Sequence, residues 1–187
     1  MPFFLIAAVI VVFVLFLIGI YNSLIKIRNQ VRNAWKQIDV QLKRRHDLIP
    51  NLVNAVKGQM EFEKSTLESV IQARAAAINA KGISDSIAKE DLLSSALSKL
   101  FAVVENYPTL KANESIKPLM EELTTTENQI SFARQFYNDI TTTFNTKLEI
   151  FPTNLFASSL GFEMFPLFQV ENAAEREVPN VDLSLKK

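Results

Sequence analysis

The stretch Phe3-Phe-Leu-Ile-Ala-Ala-Val-Ile-Val-Val-Phe-Val-Leu-Phe-Leu-Ile-Gly-Ile20 is an uninterrupted apolar run that begins two residues after the initiator. As a helix it would be about 27 Å long, enough to cross the hydrocarbon core of a bilayer. The alternative is a secretory signal peptide, which starts with a basic region and ends at a small-residue cleavage site. Here no Lys or Arg precedes the run, and Gly19-Ile20-Tyr21-Asn22 offers no such site. The sequence therefore predicts a retained membrane anchor over residues 1–21.

The charges that follow the anchor predict its orientation. The basic residues Lys26, Arg28, Arg32 and Lys36 all precede the first acidic residue, Asp39. Positive residues close to a span stay on the cytoplasmic side of the membrane. We therefore expect a single-pass protein of the cell (inner) membrane with its N-terminus outside and its body in the cytoplasm. A periplasmic body is the alternative.

The composition of the remaining chain limits its chemistry. The sequence contains no cysteine, which excludes disulfides, thiolate metal sites and a cysteine nucleophile. The net charge is zero but uneven, because residues 22–60 carry eight Lys or Arg against two Asp, whereas residues 61–187 carry twelve against eighteen acids. Nucleic-acid binding favours a basic domain, so this distribution gives no case for a nucleic-acid partner.

The first helix has an apolar stripe that continues directly from the anchor. One row repeats every seven residues and comprises Leu24, Val31, Ile38, Arg45 and Leu52. A second row lies beside it and comprises Arg28, Trp35, Leu42, Ile49 and Val56. Pro50 lies inside this pattern and cannot donate the helical hydrogen bond to the carbonyl of His46. Since the stripe keeps its phase across the proline, we expect a kink at residues 46–50 and a turn only near Gly58.

Three further helices are predicted after this turn. They cover approximately residues 64–81, with a capping box at Ser65-Thr-Leu-Glu68, then residues 85–106 with Ser84 or Asp85 as N-cap, and residues 115–151. The last helix has a coiled-coil-like seam that repeats every seven residues: Ile116, Leu123, Ile130, Tyr137, Phe144 and Phe151. No segment alternates as strands do. The sequence therefore predicts an all-α, antiparallel, up-and-down four-helix bundle with long helices over residues 22–151.

Residues 152–187 form the third predicted region. We expect a short capped helix over residues 153–161, then an aromatic segment, then a solvated acidic tail from Glu171 to Asp182. The candidate interaction residues of this region are Phe156, Phe162, Phe165 and Phe168. Because the last bundle helix should return to the bilayer surface, these aromatic side chains either pack on the open end of the bundle or form an interfacial or subunit-contact patch.

A basic cluster at residues 43–46, followed by Asp47, is the other candidate interaction site. From Tyr21 to Arg44 a straight helix measures about 35 Å, which is several Debye lengths of about 8 Å, so binding to the anionic lipids of its own bilayer is not favoured. Arg45 lies on the apolar stripe, where an unpaired guanidinium would be costly, so a carboxylate of another helix should pair with it. The candidates for this partner are Glu121, Glu122 and Glu127.

Patterns that would indicate catalysis are not found in the sequence. A single histidine, His46, cannot supply the paired Glu-x-x-His motifs of a di-metal bundle. There is no zincin motif, phosphate-binding loop or nucleophile elbow. We therefore predict no catalytic, cofactor-binding or metal-binding residues and no cofactor.

Several of these segments resemble the LemA family of bacterial membrane proteins. The specific block is Gln37-Ile-Asp-Val-Gln-Leu-Lys-Arg-Arg-His-Asp-Leu-Ile-Pro-Asn-Leu-Val53. Shorter agreements are Asn33-Ala-Trp35, Ala73-Arg-Ala-Ala-Ala77, Tyr137-Asn138, Asn145-Thr-Lys147, Phe151-Pro-Thr-Asn-Leu-Phe156 and Gly161-Phe162. The resemblance implies a helical bundle behind an N-terminal anchor and brings no assigned reaction or cofactor. Some members of the family are associated with membrane remodelling in organelle-forming bacteria, and members often neighbour membrane metallopeptidases.

Two hypotheses of function follow. The first is a membrane-anchored interaction or scaffold protein that self-associates and acts in membrane organisation or remodelling. The second is an accessory subunit of a membrane peptidase, or an uncharacterised enzyme. The expected partners are the lipid bilayer through residues 3–20, further copies of the chain, and other membrane proteins.

Overall fold

The computed structural model describes residues 2–57, 63–111 and 113–168 of the 187-residue chain. Across these residues the chain is helical and contains no strand. The helices are α1 (Pro2–Lys57), α2 (Lys64–Ile78), α3 (Gly82–Glu105), the short α4 (Pro108–Lys111) and α5 (Ile116–Glu149), followed by a single 3-10 turn, Thr153–Leu155. The predicted all-α fold, a long apolar N-terminal helix leading into a helical body, is confirmed.

Helix α1 is one continuous element of 56 residues, about 84 Å long. Its first third is the apolar run, in which no residue is buried by the rest of the protein. Its remaining length is amphipathic, and the helix passes through Pro50 without ending. The kink predicted there stays a prediction, and the turn predicted at Gly58 lies outside the described residues.

Helix α5 packs antiparallel to α1 along the body. Lys147 Nζ, near the C-terminus of α5, lies 3.1 Å from Ser23 Oγ, three residues past the apolar run. The seven-residue row of α5 is buried from Ile116 to Phe144, and it faces the buried row of α1. Phe151, the last member of the predicted row, is exposed, because α5 ends at Glu149, before the residue whose conformation is restricted by Pro152.

Helices α2 and α3 form a hairpin that covers only the half of the α1–α5 pair far from the anchor. The far core lies between this hairpin and the C-terminal end of α1; its α1 members are Ile49, Leu52, Val53 and Val56. A second core lies nearer the anchor and contains side chains of α1 and α5 from Leu24 to Leu148. From α3 only its first turns reach this near core, through Ile83 and Ile87.

The near core is closed by residues 162–168, which we call the strap. The strap is an extended segment that follows α5 and runs back along the groove between α1 and α5, away from the anchor. Phe162 and Phe168 are buried in the near core, and Phe165 is half-buried against it. In this half of the body, an extended chain occupies the position that a bundle helix would occupy.

Some predicted helix boundaries and caps are wrong. Helix α2 ends at Ile78, and its N-cap is Glu63 with no side-chain hydrogen bond, so the predicted capping box is not used. Helix α3 begins at Gly82, three residues earlier than expected, and Gly82 itself adopts a φ of 79°, which favours glycine. Asp85 then lies in the first turn of α3 and accepts a hydrogen bond from the Lys81 N–H at 2.9 Å. The predicted short capped helix at 153–161 is a single 3-10 turn followed by further turns.

Candidate functional site

Arg45 lies at the centre of a buried polar layer that joins α1, α3 and α5. Its side chain has no exposure to solvent. Nη1 donates to Ser94 Oγ at 2.8 Å and to Glu127 Oε2 at 2.6 Å, and Nη2 donates to the carboxylate of Glu90. Two carboxylates from two helices thus surround one guanidinium. Charge-assisted contacts of this kind offset the large cost of removing the charges from water.

Glu90 is buried and is shared between two groups of α1. One carboxylate oxygen pairs with Arg45, and the other lies 2.8 Å from His46 Nε2. Burial alone would raise the pKa of Glu90, but the hydrogen bond with His46 and the positive charge of Arg45 outweigh it and hold that pKa below its ordinary value. The carboxylate is therefore ionised at neutral pH. We define the polar layer as Arg45, His46, Glu90, Ser94 and Glu127.

The backbone of His46 makes a further interhelix contact. Its carbonyl oxygen is the one that Pro50 leaves without a helical donor, and Arg74 Nε of α2 donates to it at 2.7 Å. The polar layer and the proline together therefore connect α1 to each of the other long helices.

Two ion pairs flank the polar layer. Arg44 Nη2 of α1 lies 2.8 Å from Glu122 of α5, at an exposed position. Arg134 Nη1 of α5 lies 3.0 Å from Asp91 of α3, where both side chains are mostly covered. These contacts add α1–α5 and α3–α5 cross-links around the central arginine.

Two asparagines of α5 hold the backbone of the strap. Asn145 accepts from the Phe165 N–H at 3.0 Å and donates to the Phe165 carbonyl at 2.9 Å. Asn138 makes the same pair of bonds with Phe168, both at 3.0 Å. Because the asparagines are seven residues apart on α5, both amides project from the same helix face. Each amide satisfies a donor and an acceptor of an extended segment that has no strand neighbour.

The last aromatic side chain of the strap, Phe168, packs on Trp35 and Tyr137. Trp35 stacks on Phe168, with ring centroids 5.9 Å apart and planes 20° apart. Tyr137 meets both rings edge-on and donates its hydroxyl hydrogen bond to the carbonyl of Pro166 at 2.9 Å. Burial raises the pKa of Tyr137, so the phenol remains a donor well above neutral pH.

An arginine lies over each end of the strap. The guanidinium carbon of Arg28 is 5.1 Å from the centroid of the Phe162 ring, and that of Arg134 is 4.7 Å from the centroid of Phe168. Both distances lie within the range of cation–π attraction. Since Arg134 also pairs with α3, it links the end of the strap to the α2–α3 hairpin.

The structure brings some of the predicted candidate residues together in two groups and leaves the others apart. Arg45 and His46 both pair with Glu90 in the polar layer, and Trp35 meets Phe168 at the strap, whose Phe162 and Phe165 pack on Phe144 instead. The others lie apart from both groups: Arg44 in its surface pair, Asp47 exposed, Pro50 half-buried in α1, and Phe156 half-buried beyond α5.

Sequence reasoning missed Glu90, Arg74 and the two strap asparagines. Glu90 could have been found, because it lies on the same helix face as Ile87, Leu93 and Leu97, just as Arg45 lies on the stripe of α1. Glu127, one of the three expected partners, does contact Arg45. Arg74 and the asparagines lie at half-buried positions where an amphipathic pattern gives no signal.

The chemistry available to this arrangement is structural. The charged groups of the polar layer contact one another rather than an open cleft. In residues 2–57, 63–111 and 113–168 no group of three or more His, Cys, Asp or Glu side chains is placed to hold a metal ion. The polar layer and the strap each contact more than one helix.

The helical body resembles a known protein family. The family model described as "LemA family" matches residues 34–183, which include both the polar layer and the strap. The chain belongs to the LemA family. The match begins after the apolar run, so the family relationship rests on the helical body.

Three relatives illustrate the range of LemA-family proteins that this chain is similar to. Protein LemA of Metamycoplasma hominis is 30% identical over 168 residues, covering 89% of this chain and 75% of the relative. Magnetosome protein MamQ 2 of Paramagnetospirillum magneticum is 25% identical, covering 90% of this chain and 72% of the relative. Magnetosome protein MamQ of Magnetospirillum gryphiswaldense is 23% identical with the same coverage. With the apolar N-terminal helix, these LemA-family relatives support a membrane-associated helical protein.

Proposed function

We propose that this protein is a membrane-anchored scaffold that self-associates through the outer face of its α1–α5 pair and organises the membrane around it. The observation that carries this proposal is an apolar surface of α1 and α5 that is exposed to solvent. Phe132 is 73% exposed and Val40 is 64% exposed, and Phe136 completes the group. We call these three residues the outer face.

The outer face lies away from the strap. Phe136 and Asn138 are two residues apart on α5, which places their side chains about 200° apart around the helix. The three outer-face residues line an open groove of about 460 Å³ between α1 and α5, and its other lining residues are uncharged: Gln37, Gln41, Gln129 and Ala133. An apolar centre with an uncharged polar rim is typical of contact surfaces between proteins.

A second copy of the chain is the occupant that fits this face best. Every copy in one membrane carries the outer face at the same height above the bilayer, because α1 runs without interruption from the span to Val40. Two such faces can meet about a two-fold axis normal to the membrane, and anchoring raises their effective concentration. Two of the relatives named above are magnetosome proteins by description, which supports a role in membrane organisation. We further propose that the body is cytoplasmic, as the basic residues after the span predict.

The test is the subunit number of the full chain in mild detergent, measured by light scattering over micromolar concentrations. The chain should form a defined oligomer, and the double variant Phe132→Ser with Phe136→Ser should have fewer subunits. The matched control is Ile71→Ser with Ile78→Ser, which also removes two half-exposed apolar side chains, but from α2, and should leave the subunit number unchanged.

Two outcomes would contradict the proposal. The first is a strictly monomeric full chain, which would remove self-association. If that monomer also co-purified with a membrane peptidase, the accessory-subunit hypothesis would be favoured. An oligomer that persists in the double variant would remove the outer face as its interface. Deleting residues 152–187 is a poorer test, because the deletion also removes Phe162 and Phe168 from the core.

A further inference from the structure

The segment between α5 and the strap, residues 150–161, lies beside the end of the membrane span. Its Phe156, Ser159 and Leu160 line one groove with four residues of α1, namely Leu17, Ile18, Ile20 and Tyr21. Its Ile150 and Thr153 line a second groove with Phe16, Gly19, Ile20, Ser23 and Leu24. The segment therefore reaches the level of Phe16, four residues or about 6 Å before the apolar run ends.

The outward side of this segment is apolar. Phe151 is 77% exposed and Leu155 is 61% exposed, and Ile150 and Leu160 are about half exposed. No charged residue occurs from Ile150 to Phe162, although Glu149 and Glu163 flank this stretch directly. An exposed apolar surface without charges, at the depth of a membrane span, matches the region between lipid headgroups and acyl chains.

The backbone of the segment is also suited to that region. The N–H groups of residues 154–157 and 160–162 all donate to carbonyl oxygens of residues 150–158. Backbone groups that enter an apolar medium must find partners within the protein, because no water is available there. The compact turns of the segment supply these partners.

We propose that residues 150–161 insert into the bilayer interface and form a second membrane contact, in addition to the span. The ligand is the headgroup and upper acyl region of the leaflet that faces the body. Because this loop follows α5, its insertion fixes the near end of α5 at the membrane. The α1–α5 pair is then held to the bilayer at two points, which restricts rotation of the body about the axis of α1. This inference depends on the membrane span and not on self-association.

The test uses the cysteine-free full chain reconstituted in vesicles of phosphatidylcholine and phosphatidylglycerol. Single variants Phe151→Cys and Leu155→Cys carry a nitroxide label, and its collision rates with oxygen and with a water-soluble nickel chelate are measured. Oxygen concentrates in the acyl region and the chelate in water. Val12→Cys, within the span, gives the lipid reference. Leu92→Cys, an apolar position of α3 that is 59% exposed and lies outside the outer face, gives the reference for the body.

We expect the ratio of oxygen to nickel accessibility at positions 151 and 155 to exceed the ratio at 92 several-fold and to approach that at 12. A ratio at 151 and 155 equal to that at 92, with 12 still lipid-exposed, would overturn the second contact while leaving the anchor intact. Labels at 151 and 155 that are shielded from both reagents would also overturn it, because they would indicate burial against protein. Position 92 lies outside the outer face, so this reference does not depend on self-association, and a failure of self-association would be seen separately by light scattering.

Discussion

Arg74 Nε donates a hydrogen bond of 2.7 Å to the carbonyl oxygen of His46, the oxygen that would accept from residue 50 if residue 50 had an N–H. A side chain of α2 therefore replaces a backbone donor of α1. Because of this contact, the partly buried carbonyl of His46 has a donor although Pro50 cannot supply one. The same contact links α2 to α1.

The first prediction is that the contributions of Arg74 and Pro50 to stability depend on each other. Arg74→Met should lower the free energy of unfolding by about 1–3 kcal/mol, because the His46 carbonyl loses its donor. In a chain that also carries Pro50→Ala, the new backbone N–H can supply that bond, so the same change should cost less. Chemical unfolding of the four chains, followed by the fluorescence of Trp35, measures the coupling. Strict additivity would show that the two residues are independent.

The second prediction concerns the central arginine. Arg45→Ala should lower the free energy of unfolding by about 3–5 kcal/mol, because it leaves the buried carboxylate of Glu90 without its guanidinium. The measurement is unfolding of the full chain in mild detergent. Arg44→Ala is the matched control, since its pair with Glu122 is about half exposed and should contribute at most about 1 kcal/mol. Equal effects of the two substitutions would contradict the structural role of Arg45.

The third prediction follows from the lowered pKa of Glu90. In the folded chain the pKa of Glu90 lies below its ordinary value of 4.5. The stabilising contribution of the ionised carboxylate is therefore present above about pH 4.5. That contribution is lost as the pH falls from there through the lower pKa of the folded state. His46 and Arg45 are the neighbours that lower this pKa against the effect of burial.

The measurement is the free energy of unfolding as a function of pH for the unchanged chain and for Glu90→Gln, which should lose less stability on acidification. Asp39→Asn is the control. Burial, and then the charge of Glu90, raise the pKa of Asp39, so Asp39 acts in the opposite direction and its removal should leave the acid-induced loss in place. A pH dependence that Glu90→Gln does not change would contradict the prediction.

The residues on strict seven-residue rows were predictable from the sequence, and their burial follows from helical geometry. Val31 and Ile38 on α1, and Ile130 and Tyr137 on α5, are all fully buried where the rows face each other. The partial cover of α1 by the α2–α3 hairpin was not predictable from these rows. A periodic pattern shows that a face is covered but does not show what covers it. Thus Trp35 reads as a position against another helix, and its ring does meet Tyr137 of α5, but it also stacks on Phe168 of the strap.

Within the candidate sites, the feature that could be predicted from the sequence was a charged residue on an apolar row. Arg45 was identified because a guanidinium on the stripe must have a partner. Its position alone did not choose among the carboxylates, and Glu90 was overlooked. The strap could not be derived from periodicity at all, since it is extended and its backbone bonds go to asparagine side chains.

The fourth prediction is the orientation of the chain in the membrane. Single cysteines in place of the exposed residues Ser84 and Lys99 should not react with an impermeant maleimide in intact cells and should react after lysis. The reason is that Lys26, Arg28, Arg32 and Lys36 follow the span and favour a cytoplasmic body. Because the chain has no native cysteine, the unchanged protein gives the background. Labelling of both positions without lysis would reverse the proposed orientation.

The fifth prediction is that the asparagine amides hold the strap in place. Asn145→Asp keeps the size of the side chain but replaces the donor to the Phe165 carbonyl by a carboxylate oxygen, so one bond of 2.9 Å becomes a repulsive contact. Releasing the strap should expose Trp35, whose stacking on Phe168 depends on it, so its fluorescence should shift to longer wavelength while the helical circular dichroism of α1 and α5 is kept. Asn138→Asp should act in the same way through Phe168.

The matched control is Asn128→Asp, an exposed position on α5, which should leave the fluorescence unchanged. If Asn145→Asp and Asn128→Asp gave the same spectrum, the strap would be held by its aromatic packing alone.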